Sequence, residues 1–526
     1  MSVYPTIAAR RAGSRISLAI CLALCAALLA ACSDDNDEFI ITLGVPGSGD
    51  PAIVAVPAAT LEGPVAGNPV LVSSFFSLAS VGYEQAEFFV SGTATAYVNG
   101  NNLRSNGRWQ LQASTQADYR TRIVVIRPSD PANFNGTVVV EWLNVSAGFD
   151  AAPDWGMLHT EMIRSGYAWV GVSAQEVGVE ALVDGSAAAI IPGTPIDDRY
   201  AALFHPGDAY SYDIYSQVAQ ALRDGGAMGN LSPRYFMAAG ESQSAGRLMT
   251  YVNGFAPMHA LFESYFIHSR TAGSAPLEGG FVDPELPTPA VVRVRDDLGV
   301  PSLMLQTETD LFILGSYPDN QPDSRNFRLW EVAGTAHADL YTFLDNRFDV
   351  GTDPSVAAVL ENTQPVPGII ECPIAVNAGP QHWVAKAGMV ALNTWMVDGT
   401  PAPRADRLAV SGNPPVFEYD ELGNVLGGIR TPYVDVPIAV LSGEGQAQPN
   451  FDEIDEIDID NIDFCFLSGT TELFDAATLG SLYESNAAYI EAVNASADDA
   501  VAKGFLLQAD ADLIKAYAAG SDIFAP

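Results

Sequence analysis

An apolar run, Tyr235-Phe236-Met237-Ala238-Ala239, leads straight into Gly240-Glu241-Ser242-Gln243-Ser244 and then into a helix-like stretch over 245–253. A strand that turns into a helix within so few residues has room only for small side chains two positions either side of the serine. Such a turn lifts the serine hydroxyl clear of its own backbone at the strand's end. The pattern commits the chain to a sheet backed by helices and offers Ser242 as a nucleophile for a carbonyl carbon. Ser242-Gln243-Ser244-Ala245-Gly246 also satisfies the spacing, centred on Ser244. The register favours Ser242, because the apolar run stops at Gly240. A Ser/Gly turn after a strand can also be a plain chain reversal, so partners decide.

Those partners come in the order nucleophile, acid, base. Val300-Pro301-Ser302-Leu303-Met304-Leu305-Gln306-Thr307 reads as a buried strand, followed at once by Glu308-Thr309-Asp310. Phe327-Arg328-Leu329-Trp330-Glu331-Val332-Ala333 reads as the next strand, followed by Gly334-Thr335-Ala336-His337-Ala338-Asp339. A serine hydroxyl needs a base to take its proton, and imidazole titrates near neutral pH. A carboxylate then fixes the ring's tautomer and stabilises the imidazolium. His337 is the expected base and Asp310 the favoured acid, with Glu308 as the alternative acid or a structural carboxylate. Of the other histidines, His268 also ends a strand-like run, but it precedes the acid in the chain. It is read as structural or as polar pocket lining.

An oxyanion formed at the substrate needs two N–H donors. One is expected from Gln243, the residue after the nucleophile. The other is expected from the loop after Val138-Val139-Val140-Glu141-Trp142-Leu143, at Asn144 or Val145.

Strand-like runs near 86–98, 119–127, 137–145, 167–174, 234–240, 262–268, 300–307 and 327–333 alternate increasingly with helical segments at 154–165, 209–223, 243–253 and 383–397. Early hairpin strands followed by βα units predict an α/β fold, a mainly parallel sheet with helices on both faces. Insertions at 176–207 and 270–298 follow strand ends, where ligands bind, and are expected to form lid or pocket walls. The tail, 470–524, reads as helices packed back on the body.

Several stretches together resemble a bacterial α/β-hydrolase-domain family of esterases. They are 136–146 (Gly-Thr-Val-Val-Val-Glu-Trp-Leu-Asn-Val-Ser), 167–175 (Tyr-Ala-Trp-Val-Gly-Val-Ser-Ala-Gln) and 205–213 (His-Pro-Gly-Asp-Ala-Tyr-Ser-Tyr-Asp). Gly240-Glu241-Ser242-Gln243-Ser244-Ala245, His268-Ser269-Arg270, Gly334-Thr335-Ala336-His337, 377–382 (Asn-Ala-Gly-Pro-Gln-His) and 504–507 (Gly-Phe-Leu-Leu) extend the likeness. It runs from about residue 85 almost to the end of the chain. The resemblance implies an α/β-hydrolase fold with Ser242 as nucleophile and His337 as base. It leaves the acid and the natural substrate open.

The first 31 residues read as targeting sequence: Arg10, Arg11 and Arg15 precede an apolar segment, 16–30, that is shorter than the ~20 residues of a spanning helix. Leu29-Ala30-Ala31-Cys32-Ser33 resembles a lipobox, with Cys32 lipidated, and Ser33 after it weakly favours an outer membrane. Residues 32–65, acidic and then rich in Gly, Pro and Ala, are expected to form a solvated tether to a domain over 66–526. The expected location is the cell envelope, with the lipid anchor as the sole membrane contact.

The chain carries 25 basic and 63 acidic residues, a net charge of −38 that becomes −41 once the three signal arginines are gone. Such a surface repels nucleic acid. Beyond the signal and lipobox only Cys372 and Cys465 remain, and in an oxidising compartment they are expected to pair. The stretch 451–464 holds seven acids in 14 residues without the glycine and spacing of a calcium loop, so it reads as a solvated segment. No metal or cofactor is expected. The expectation is therefore a lipid-anchored serine esterase acting on a small-molecule ester. The alternatives are an amidase or acyltransferase with the same machinery, or a non-catalytic envelope scaffold.

Overall fold

In the computed structural model, residues 53–190, 198–278, 288–367, 370–446 and 464–524 are described, all within one compact unit, Pro51–Pro526. The expected signal peptide, Cys32 and nearly all of the 451–464 acidic stretch lie outside them.

Nine strands form the main sheet: β1 (Thr60–Glu62), β2 (Tyr83–Asn99), β3 (Leu111–Pro128), β4 (Thr137–Trp142), β5 (Ala168–Val172), β6 (Tyr235–Glu241), β7 (Ser264–His268), β8 (Ser302–Thr307) and β9 (Phe327–Val332). Their order across the sheet is β1-β2-β3-β5-β4-β6-β7-β8-β9. The links from β1 to β5 are antiparallel, and those from β5 through β9 are parallel. β4, β5, β7, β8 and β9 are buried along their whole length, and β6 along all but its first residue, as parallel strands covered on both faces must be.

Alternation along β6 divides the interior into two cores. Phe236 and Ala238 face one core with Tyr215, Leu248, Met249 and Phe255, while Met237 and Ala239 face the other with Trp155, Leu158, Val384 and Leu392. Helix α1 (Pro153–Arg164) and helix α4 (Gln381–Asp398) cover the second face; helix α2 (Ser211–Arg223) and helix α3 (Gln243–Thr250) cover the first.

The C-terminal region is helical, as the sequence predicts. Helices α5 (Asn486–Lys503) and α6 (Gln508–Gly520) bury Val493, Ala497, Ala500, Ala511 and Ile514 against Trp383 and Leu441. Asp510, fully buried, ties this layer to the body through Arg164 at 3.0 Å and Lys386 at 3.4 Å. Cys372 and Cys465 form a disulfide across 93 residues.

One expected boundary moves. The tether predicted over 32–65 reaches too far into the domain, because β1 is an edge strand paired with Phe89, Val90 and Ser91. The Val54 N–H donates to Met258 and the Ala59 N–H to Gln217, so this segment already belongs to the body. Three residues at a sheet edge give too short an alternation to be read in sequence. The 176–207 insertion contains two short helices, Glu176–Val183 and Ser186–Ile190. No helix among the described residues is long and apolar enough to cross a membrane.

Candidate active site

β6 sits at the centre of the sheet, between β4 and β7, and its carboxyl end delivers Ser242. Ser242 has φ 58° and ψ −119°, a strained positive-φ conformation that a non-glycine residue holds only when its surroundings enforce it. The enforcing contacts are visible. The Ser242 N–H donates to the His268 carbonyl at 2.9 Å, and its own carbonyl accepts from the Gly246 N–H at 3.1 Å. A Cβ at Gly240 would come within 3.0 Å of the Ser244 carbonyl oxygen, so a small residue is required there. Ser242 remains partly exposed, whereas Ser244 is fully buried in the first turn of α3.

Residues far apart in sequence converge on this hydroxyl. His337 Nε2 lies 2.9 Å from Ser242 Oγ, and His337 Nδ1 lies 2.7 Å from Asp310 Oδ1. Asp310 is aimed by a capping box on the short helix Glu308–Phe312: its Oδ2 accepts the Thr307 N–H at 2.7 Å, and the Thr307 hydroxyl accepts the Asp310 N–H. Its other oxygen is left for the imidazole. Burial works to lower the pKa of His337, but Glu241 and Asp310 outweigh it and the pKa rises.

Glu308, the other acid weighed from sequence, meets no histidine. Its two oxygens accept the N–H groups of Gly334 at 2.6 Å and Gly443 at 2.7 Å, clamping the loop that carries His337. Burial pushes its carboxyl up to about 8 despite those two donors.

The two candidates for the second oxyanion donor separate. The Asn144 N–H is committed to the Ala151 carbonyl at 2.9 Å, so it is not free for a substrate. The expectation for Asn144 fails because the loop closes on itself through that bridge. Among the described residues the N–H groups of Val145 and Gln243 donate to no acceptor. The loop is pinned from below by Asp150, which pairs with buried Arg122 at 3.0 Å.

His268 is fully buried at the end of β7, its Nδ1 2.9 Å from Asp154 Oδ1 and its Nε2 3.2 Å from the Gln381 side-chain amide. Glu141, also fully buried, accepts the N–H groups of Asp154 and Trp155 at the start of α1 and the Trp169 indole N–H. Three polar side chains that touch the two imidazoles are not foreseen from the sequence: Glu241 on His337, and Asp154 and Gln381 on His268. Of these only Glu241 leaves a signal, as an acid placed between an apolar strand and the candidate nucleophile.

The model of an alpha/beta hydrolase domain family matches residues 54–516. The chain belongs to that family. No curated protein matches the chain by sequence. Among solved structures it is similar to the carboxylesterase Cest-2923 from Lactobacillus plantarum, at 10% identity and TM-score 0.26, over 43% of this chain and 78% of that one. It is also similar to a glucuronoyl esterase from Solibacter usitatus, at 9% identity and TM-score 0.27, over 53% of this chain and 82% of that one. A fungal esterase from Rhizomucor miehei gives 10% identity and TM-score 0.25, over 53% and 86%. At these values the family match alone carries the assignment of this α/β hydrolase.

Proposed function

We propose that this α/β hydrolase cleaves carboxylic esters through an acyl-enzyme on Ser242. The observation that carries the reading is the unbroken chain of contacts from Ser242 Oγ to His337 Nε2 and from His337 Nδ1 to Asp310. His337 takes the serine proton as Oγ attacks the ester carbonyl. The N–H groups of Gln243 and Val145 receive the oxyanion, each such donor contributing about 3 kcal/mol to the transition state. His337 then protonates the departing alcohol, and water attacks the acyl-enzyme with the same imidazole as base. Asp310 keeps the ring's tautomer and balances the imidazolium.

A fluorophosphonate probe tests this directly. Labelling should disappear in Ser242→Ala and persist in Ser244→Ala. Folded wild-type protein that takes no label would sink the reading and leave a scaffold on a hydrolase fold.

We further propose that Cys32 carries lipid and holds the protein in the cell envelope, resting on Leu29-Ala30-Ala31-Cys32 after an apolar segment. Several acyl chains, each methylene contributing ~0.8 kcal/mol, would anchor it without a spanning helix. Cys32→Ala should abolish incorporation of labelled fatty acid; undiminished incorporation counts against the anchor.

A further inference from the structure

Nε2 of His337 has two neighbours. Ser242 Oγ lies 2.9 Å away, and Glu241 Oε1 lies 3.2 Å away. Glu241 is the residue immediately before the nucleophile, at the end of β6, and its side chain is buried to 10% exposure. The Asn144 amide fixes it, donating to its carbonyl oxygen at 3.1 Å and to its Oε2 at 3.2 Å. Oε2 is thereby occupied by the oxyanion loop, and Oε1 is turned to the imidazole. Among the described residues, His337 is the one basic group within ion-pair distance of this carboxyl.

We propose that Glu241 is a second carboxylate for the base, acting at the nitrogen that carries the proton in flight, so that His337 works between one acid on each ring nitrogen. This rests on the serine-hydrolase reading of the site. Before attack, Nε2 is the acceptor of the Ser242 hydroxyl and needs no carboxylate. During attack the Oγ–H bond breaks, a new N–H forms at Nε2, and the ring becomes cationic. Asp310 balances that charge from Nδ1, at the far side of the ring. Ionised Glu241 balances it at Nε2, next to the oxygen that has just lost the proton. The same contact keeps the imidazolium from swinging away before it protonates the leaving alcohol. No proton passes to Glu241 in this cycle; it holds the ring and raises its basicity, as a positioning residue.

The groups facing Glu241 fit this role. Burial pushes its carboxyl up to about 7; His337 at the loop after β9 and His268 on β7 pull it down, while Asp154 on α1 and Asp310 after β8 push it up. Above about pH 7 the carboxyl is ionised and assists the base. Below it the carboxyl is protonated, loses its attraction for the imidazolium, and competes with Ser242 as a donor to Nε2. The acid limb of activity should therefore report both Glu241 and His337.

The experiment is the rate of Ser242 labelling by a fluorophosphonate from about pH 4 to about pH 9 in wild type, Glu241→Gln and Glu241→Asp. Removing a charge at this range moves a neighbouring pKa by about one unit or more. The Gln variant should shift the acid midpoint downward by about one pH unit and lower the plateau rate about tenfold. The Asp variant, which keeps the charge but draws it back by one methylene, should fall between the two. A proton NMR titration of His337 in the Ser242→Ala background should show the same downward shift without any attack chemistry. Labelling of all three proteins with an unmoved midpoint overturns this proposal alone. No labelling of folded wild type overturns the serine-hydrolase reading and takes this one with it. Should Glu241→Gln fail to fold, the Asp variant and its His337 titration decide the same question.

Discussion

Two imidazole–carboxylate pairs stand at the carboxyl ends of this sheet, and they differ at one nitrogen. His337 is held by Asp310 at Nδ1 and offers Nε2 to Ser242, whereas His268 is held by Asp154 at Nδ1 and spends Nε2 on Gln381. In both rings burial acts to lower the pKa and carboxylates raise it again beyond the ordinary value. On the proposed function only His337 is a base, so a carboxylate partner and a raised pKa do not by themselves make one. What separates the pairs is access: the last nitrogen of His337 faces a partly exposed hydroxyl, while α4 seals that of His268 under its first residue.

The sharpest way to break this comparison is to remove each ring in turn. Loss of a triad base typically lowers kcat about 10⁶-fold. His337→Ala should show that loss per folded molecule, and it should also lose stability, because Asp310 and Glu241 are left buried without their imidazole. His268→Ala should keep turnover within about tenfold per folded molecule but lose roughly 3–5 kcal/mol, because Asp154 is left buried and unpaired. Kinetics and denaturant unfolding on the same preparations decide it, and a dead but fully stable His268→Ala would reverse the assignment of roles.

The carboxylates give the next largest contrast. Asp310→Asn keeps the geometry but favours the wrong tautomer, and such a change typically lowers kcat about 10⁴-fold. Glu308→Gln touches only the loop clamp and should lower kcat less than about tenfold. Equal losses in the two variants would mean that loop position, not tautomer control, limits the base.

Much of this contrast is legible in the amino-acid sequence. Ser242, His337 and the two acids each follow a strand-like run, and strand ends are local signals that a single chain displays. The disulfide follows from having two cysteines left over. Contacts across the sheet leave no such trace. That Glu241 meets His337, 96 positions on, or that Asn144 holds Glu241, depends on β4 lying beside β6 and on the loop after β9 folding over both. Asn144 misleads for a related reason: its N–H looks free in sequence, yet Ala151, seven residues on, takes it. The edge strand β1 is too short for its alternation to stand out from the Pro- and Gly-rich sequence before it.

A third test bears on how the loop that carries His337 is held in place. The Ala338 N–H donates to Leu467, and Asn377 bridges Gly334 and Ser468, so the segment beside Cys465 braces the residues around His337. Opening a loop of 93 residues forfeits on the order of 4–5 kcal/mol by chain entropy. Cys372→Ala with Cys465→Ala should lower stability by about that amount and weaken Ser242 labelling, while any bracing of His268 should be unaffected. Unchanged labelling after verified loss of the disulfide would show that the Glu308 clamp alone suffices.

The smallest expected effect is also the most specific to that clamp. Glu308 keeps in the folded state, up to about pH 8, a proton that the unfolded chain releases near its ordinary value of 4.5. Between those two values unfolding releases a proton, so this group makes wild-type stability fall as the pH rises. Glu308→Gln cannot titrate, and it also sets an amide N–H₂ against the N–H of Gly334 or Gly443, a steady cost of about 1–3 kcal/mol. The variant should therefore be clearly less stable than wild type near pH 5, with the gap closing as the pH rises and reversing by pH 9 as the wild-type carboxyl becomes a buried anion. Urea unfolding at three pH values reads the gap, and parallel stability curves would mean that the Glu308 carboxyl titrates like one in water. His337 would then owe its position to the disulfide-braced segment and the Asp310 capping box, and the loop clamp would be incidental.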